Sequence, residues 1–394
     1  MVLRILCIGD IANIMKTISR FSESDIHIIN WPKTDAGIYT YDDEYELFQN
    51  FKLVDQVKKI NSIKDNFDLC IVMGVGERIA YLCDLNYIAY YVGRDIDAPR
   101  FIKNSAEPWF KEPLHKLNFL ERRFYKKTFE SAIAHVAPIW VFEHLKKYTD
   151  NGIKMDRKPI DSTVFNKKIE KLNLEKRKFT FFCPQRMGLP KGTDILWEAI
   201  KYCKTDFDII QVDWRDMGTD EERSSSLKIR ESKPKQVKLI PMIKHHDIPK
   251  YYQWADAVIG NLRIGSFEFV EMEAVFSQKP VISYADPKIE IIIDRKKIES
   301  PFLPKSNDPK VIAELIDKIV ESKEFREELL KKEYEISKEL TDPSKAAQWW
   351  DSFFEENVKK HKTITKRTSK TILKLRLWSF LIANRLYTRK IFNH

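Results

Sequence analysis

Short apolar runs of β-type residues alternate with helix-period segments through two separate stretches of the chain, and that alternation excludes most architectures. A strand buried on both faces reads as a near-continuous apolar run, and such strands occur where helices cover both sides of a parallel sheet. In the first half the runs are 3–8, 26–29, 69–73, 88–92 and 132–137; in the second they are 180–183, 207–212, 237–240, 257–259 and 280–283. The pattern predicts two α/β domains, each built on a parallel sheet. A length of 394 residues agrees, because single cores stop growing at roughly 250–300 residues.

Residues 167–178 are charged and have no sustained apolar face. They predict a linker over 169–178 between a first domain at 1–168 and a second at 179–340. Asp342-Pro343-Ser344 reads as a turn and cap before a helical segment, 341–358, that carries Trp349, Trp350, Phe353 and Phe354. Aromatics so concentrated must bury against something, and the neighbouring first domain is the expected partner.

The five cysteines are scattered, with no pairing of the C-x-x-C kind, which fits buried thiols in a reducing cytoplasm. The net charge of +10 is concentrated at one end: residues 359–394 hold eleven Lys or Arg and no acid, leaving the body near neutral. General basicity therefore argues for no nucleic-acid partner. The apolar runs are too short for a spanning helix.

The chemistry is concentrated in the second half. Phe181-Phe182-Cys183-Pro184-Gln185-Arg186-Met187-Gly188-Leu189-Pro190-Lys191-Gly192 reads as a strand ending in a loop that presents Arg186 and Lys191 before a helix. Ligands of α/β sheets bind at the carboxyl ends of strands. A guanidinium fork and an ammonium suit the two phosphates of a nucleoside diphosphate leaving group, whose charge grows as it departs. The alternative is a pair of solvated surface cations.

A second loop follows Asp256-Ala257-Val258-Ile259-Gly260. It runs through Arg263-Ile264-Gly265-Ser266-Phe267-Glu268 into a helix expected to start near Ser266 as its N-cap. Amides at that helix start could hold a phosphate. Glu273, seven positions beyond Ser266, shares nearly the same helix face, and its carboxylate can accept from two ribose hydroxyls. An ordinary amphipathic helix with solvated glutamates is the competing reading.

These residues resemble the retaining group 1 glycosyltransferases (family 4) of the GT-B fold, over nearly all of residues 1–357. Arg186, Lys191 and Gly192 look like that family's donor-phosphate pair and the following glycine. Glu273-Ala274 followed by Lys279-Pro280-Val281-Ile282 resembles its glutamate-alanine helix and the next strand, which would put Glu273 on the ribose. Pro159-Ile160-Asp161-Ser162-Thr163-Val164-Phe165 is similar to its interdomain loop, and Gly93-Arg94-Asp95 to the glycine-x-aspartate after its fourth strand.

The resemblance implies two Rossmann-like domains facing a cleft, with the C-terminal helix crossing back to the first. Gly192, Gly265, Ser266, Phe267 and Glu273 would bind the donor; Arg186, Lys191 and Glu268 would act in transfer. Gly9, Asp10, Gly93 and Asp95 would lie on the acceptor side. Two departures stand out: Gly265 occupies the place of the family's first glutamate, and Val92 that of its usual histidine. Glu268, three residues beyond Gly265, is a candidate substitute, although its charge would repel a diphosphate.

The expected reaction moves a sugar from a nucleoside diphosphate sugar to a glycan or lipid-linked acceptor with retention of configuration, in cell-surface polysaccharide or glycoconjugate synthesis. No cofactor or metal is expected, because Arg186 and Lys191 neutralise the donor phosphates. The competing assignments are a non-catalytic nucleotide-sugar-binding partner subunit and a sugar-nucleotide 2-epimerase. The basic tail at 359–394 suits an anionic membrane surface, making the protein peripheral on the inner face; packing on its own domains or a second subunit is the alternative.

Overall fold

The computed structural model describes residues 2–32, 45–155, 157–166, 172, 178–215, 218–266, 268–293, 296–365, 373, 376–377 and 380. Phe267 and most of the linker and basic tail lie outside them. The chain divides into two compact units: Met1–Glu107, Pro113–Met155 and Pro343–His394 form the first, and Pro108–Glu112 with Asp156–Asp342 form the second.

The first unit is a seven-stranded, wholly parallel sheet. Its strands are β1 (Arg4–Ile8), β2 (Asp25–Asn30), β3 (Glu46–Leu47), β4 (Leu69–Met73), β5 (Tyr87–Tyr90), β6 (Ala134–Pro138) and β7 (Gly152–Met155), in the order β3-β2-β1-β4-β5-β6-β7. Helices α1 (Ile14–Ser19), α2 (Leu53–Ile63), α3 (Gly76–Leu82), α4 (Arg94–Asp97), α5 (Phe119–Ser131) and α6 (Ile139–Leu145) connect them. Every residue of β4 and β5 is buried, as strands covered on both faces must be. The edge strands β3 and β7 fall outside the runs read from sequence. β3 has only two residues, and β7 is half-buried, so neither has the apolar content that marks a central strand.

The second unit carries the parallel sheet β10-β9-β8-β11-β12. Its strands are β8 (Phe179–Cys183), β9 (Phe207–Val212), β10 (Val237–Ile240), β11 (Ala257–Ile259) and β12 (Val281–Ile282), followed by an antiparallel pair, β13 (Ile291–Ile293) and β14 (Lys296–Ile298). Its helices are α7 (Ser162–Asn166), α8 (Thr193–Ile200), α9 (Asp220–Glu231), α10 (Ile248–Trp254), α11 (Phe269–Phe276), α12 (Pro309–Glu321) and α13 (Lys323–Leu340).

Residues 157–166 pack with this second unit and not, as expected from sequence, with the first. Ile160 and Phe165 are buried in a core cluster with Tyr252, Met272 and Phe302, and the amide of Lys158 donates to Leu340 O at 3.0 Å. Apolar burial of those two side chains outweighs the charged segment that follows them.

The last long helix, α14 (Pro343–His361), belongs to the first unit. Trp350 and Phe354 are fully buried, with Trp350 edge-on to Tyr90 at 5.3 Å. The Asp351 carboxylate accepts from the hydroxyls of Ser22 and Ser24 at 2.5 and 2.7 Å and from the Glu23 amide at 2.9 Å. Among the described residues no helix is long and apolar enough to cross a membrane.

Candidate functional site

In the second sheet, β8 and β11 are neighbours, and the connections leave them in opposite directions, β8 toward β9 and β11 toward β12. This is a topological switch point, where the loops at the strand ends part and leave a crevice for a ligand. Both loops singled out in the sequence emerge there, and they are stitched together. Gln185 donates to Gly260 O at 2.6 Å, Leu262 N to Lys191 O at 3.2 Å, and Asn261 Nδ2 to Pro190 O at 3.3 Å. Arg263 pairs with Asp194 across the same junction.

Lys191 ends a 3-10 turn, and Gly192 caps α8 behind it. The Lys191 ammonium is ion-paired with Glu268, at 14% and 24% side-chain exposure respectively. Burial pushes the Glu268 carboxyl up, but the charge and hydrogen bond of Lys191, with Lys158 beyond, outweigh it and hold the group below the usual carboxylate range. The Arg186 guanidinium is 5.8 Å from the Trp214 ring centre, in the loop after β9.

Helix α11 begins at Phe269, not near Ser266. Its N-cap is Glu268, in a reciprocal capping box with Glu271. Glu268 takes the capping role because its side chain accepts from the N3 amide, whereas the Ser266 hydroxyl is buried and has no hydrogen-bond partner. Glu271 is fully buried; its carboxylate accepts from the amides of Asn261 and Glu268 and from Ser283 Oγ, each at 2.8 Å. Burial and the nearby Glu268 charge raise its pKa. Two positions on, roughly opposite on the helix, Glu273 accepts from Tyr252 OH at 2.9 Å and faces His245 Nε2 at 3.4 Å.

Gly265 sits at φ +78°, and a Cβ there would lie 2.5 Å from Asp286 Cβ. Only glycine fits, so the glutamate of the resembling family is sterically excluded from this backbone.

Sequence reasoning missed Lys158. It is buried beside this cluster, with its ammonium 4.5 Å from the Phe269 ring centre. Burial lowers its pKa to about 8, against the opposing fields of Glu268, Glu271 and Glu273. Its position just before Pro159, in a loop noted only for its similarity pattern, carries no signal of burial. Tyr252 and His245 were likewise not singled out, since only the folded chain brings them to Glu273.

In the first unit, Gly9 ends β1 at φ +87° beneath Trp31, whose ring a Cβ would meet at 2.4 Å. Asp10 is fully buried, its carboxylate accepting from the amides of Met15 and Lys16 at 3.0 and 2.9 Å and from Tyr45 OH at 2.9 Å. Burial lifts its pKa to about 6, with those hydrogen bonds opposing. Asp95 accepts from the amides of Gly93 and Val92 at 3.0 and 3.2 Å, closing the loop after β5. His135 is stacked on Phe129 and hydrogen-bonded by Tyr91 OH at 3.0 Å; burial lowers its pKa to about 4, so it is a neutral core residue.

Two parallel-sheet α/β units, the second with the two loops joined at its switch point, define the class as one of fold: the architecture matches that of solved GT-B glycosyltransferases. Residues 164–336, which carry both loops of the switch point, match the family model "Glycosyl transferases group 1". No curated protein sequence matches the chain.

Among solved structures, that of Anabaena HepE in complex with UDP and glucose is 15% identical, with 90% of this chain and 100% of that chain covered, at a TM-score of 0.61. Sucrose-phosphate synthase from Thermosynechococcus elongatus is 13% identical, with 91% and 100% covered, at 0.63. An alpha-glucosyltransferase in complex with UDP-glucose and DNA containing an abasic site is 10% identical, with 90% and 100% covered, at 0.62. At such identities the likeness is one of fold.

Proposed function

We propose that the chain transfers a sugar from a nucleoside diphosphate sugar, with the donor held at the switch point of the second unit. The observation that carries this is the convergence there of Lys191, Glu268, Glu273 and the buried Lys158, in the unit that carries the group 1 glycosyltransferase match. In this reading Lys191 and Arg186 neutralise the diphosphate as its charge grows, and Glu273, oriented by Tyr252, receives the ribose hydroxyls. Structures of similar fold were solved with UDP or UDP-glucose, which supports a uridine diphosphate sugar as the donor. The site needs no metal in this scheme, the cations being side chains.

The acceptor class is a glycan or lipid-linked glycan, with retention of configuration and a role in cell-surface polysaccharide or glycoconjugate synthesis. The basic segment 359–394 would hold the enzyme on the anionic inner face of a membrane. Its deletion is expected to abolish co-flotation with anionic vesicles.

The deciding experiment titrates UDP-glucose, UDP-N-acetylglucosamine and GDP-mannose against the protein and follows thermal stability, then release of free nucleoside diphosphate with a glycan acceptor. A specific donor raises the melting temperature by mass action, and Lys191→Ala should weaken its binding at least tenfold. Donor binding without turnover would favour the non-catalytic subunit; no response to any donor refutes the reading.

A further inference from the structure

Lys158 is 3% exposed, and its segment is anchored to the end of α13. The Lys158 amide donates to Leu340 O at 3.0 Å, the Ile160 amide to Thr341 O at 3.3 Å, and the Arg157 guanidinium to Glu339 O at 2.5 Å. That anchorage sets the Lys158 ammonium 4.5 Å from the ring centre of Phe269, the residue next to Glu268. Glu268 therefore stands in the field of two cations from separate elements: Lys191 from the turn before α8, and Lys158 from the segment before α7.

The other carboxylates of the cluster are committed elsewhere. Glu271 accepts from two amides and the Ser283 hydroxyl, while Glu273 accepts from Tyr252 OH and faces His245. Glu268 is thus the partner that Lys191 gives up when a diphosphate claims its ammonium. A buried carboxylate stripped of its counter-charge is costly and takes up a proton instead. Lys158 is a charge held ready at a cost: burial lowers its pKa to about 8 against the fields of Glu268, Glu271 and Glu273, with Lys191 adding to the fall.

We infer that Lys158 is a positioning residue, the counter-charge that keeps Glu268 ionised and capping α11 while Lys191 turns from Glu268 to the donor diphosphate. The inference rests on the transferase reading. Lys158 touches no reacting atom in this scheme; it acts through Glu268 on the freedom of Lys191. Two ammoniums and one carboxylate leave one net positive charge for the diphosphate. Without Lys158, the same charge is reached only when Glu268 binds a proton.

The test is calorimetric titration of the full chain with UDP-glucose, whose diphosphate does not titrate near neutrality. Run at pH 7 in buffers of different ionisation heat, it counts the protons taken up per ligand bound. Wild type and Lys158→Arg are expected to take up almost none. Lys158→Met should take up close to one and bind at least tenfold more weakly at pH 8, recovering as pH falls to 6. In a Glu268→Gln background, Lys158→Met should change Kd less than threefold, because no carboxylate remains to be compensated. Equal weakening in both backgrounds would mean that Lys158 acts on the diphosphate directly, and a Lys158→Met variant that takes up no proton would make it a packing residue; either overturns the proposal.

Urea denaturation without nucleotide separates this inference from the donor reading. Either cation alone serves Glu268, so the Lys158→Met, Lys191→Met double variant should be less stable than the two single effects summed, and Glu268→Gln should abolish that excess. Additive effects overturn the shared counter-charge. A wild type that responds to no nucleoside diphosphate sugar, with the excess intact, sinks the donor reading and leaves Lys158 as the second counter-charge of Glu268.

Discussion

The Lys191 ammonium and the Glu268 carboxylate form an ion pair across the β8–β11 switch point, tying the turn before α8 to the N-cap of α11. The cation assigned to the diphosphate is therefore paired with an internal anion. Replacing Glu268 with glutamine keeps the side chain's shape and its cap acceptor while removing the charge that a diphosphate must displace. Glu268→Gln is expected to tighten UDP binding by roughly three- to tenfold, whereas Lys191→Ala should weaken it at least tenfold. Calorimetric titration decides: weaker UDP binding in Glu268→Gln would mean that the carboxylate serves the donor and does not compete with it.

Lys158 gives a pH signature. Its pKa falls from 10.5 unfolded to about 8 folded. The penalty of burying its charge is fully present below pH 8; between about 8 and 10.5 the unfolded chain holds more protons, so stability rises with pH in that window. Relative to Lys158→Met, the wild type should gain about 3 kcal/mol at full width, and the difference should be flat from pH 6 to 7.5. Urea denaturation at pH 6, 7, 8, 9 and 10 measures it; a difference that falls above pH 8 contradicts the assignment.

At position 265 the backbone itself enforces the departure from the family pattern. Gly265→Ala combines a left-handed φ with a Cβ 2.5 Å from Asp286 Cβ, so a loss of about 1–3 kcal/mol is expected. Gly265→Glu, the residue of the resembling family, should destabilise at least as much and fail to raise transfer activity. A stable, more active Gly265→Glu enzyme would show that the loop readily re-forms around the glutamate.

Asp10 makes a separate prediction for the first unit. Asp10→Asn replaces one acceptor oxygen with an amide NH2 that would face the backbone N–H of Met15 or Lys16. Leaving a buried donor unsatisfied costs about 1–3 kcal/mol, measurable as a lower urea midpoint. Since burial lifts the wild-type pKa from 3.8 to about 6, the folded state holds the extra proton between those values. The wild type should therefore lose stability relative to Asp10→Asn as pH rises from 4 to 6.

The central strands were legible because burial on both faces forces continuous apolar runs, as Leu69–Met73 and Phe207–Val212 illustrate. The edge strands Glu46–Leu47 and Gly152–Met155 were not, being short or half-exposed. The start of α11 was misplaced for a local reason: serine is the stronger cap by propensity, but Glu268 and Glu271 satisfy each other's amides reciprocally. Lys158 was invisible because nothing in its neighbours along the chain reports that Phe269 and three glutamates surround it.

By itself the sequence determined the two-domain α/β class, the two loops that carry the candidate chemistry, and the concentration of positive charge at the C-terminal end. These follow from periodicity, spacing and composition, which are properties of neighbours along the chain. Tertiary structure decided which groups meet: Lys191 with Glu268, 77 residues apart, and Glu273 with Tyr252 and His245. Electrostatic pairing depends on distance and burial in space, and β-sheet order brings together strand ends that the sequence keeps far apart.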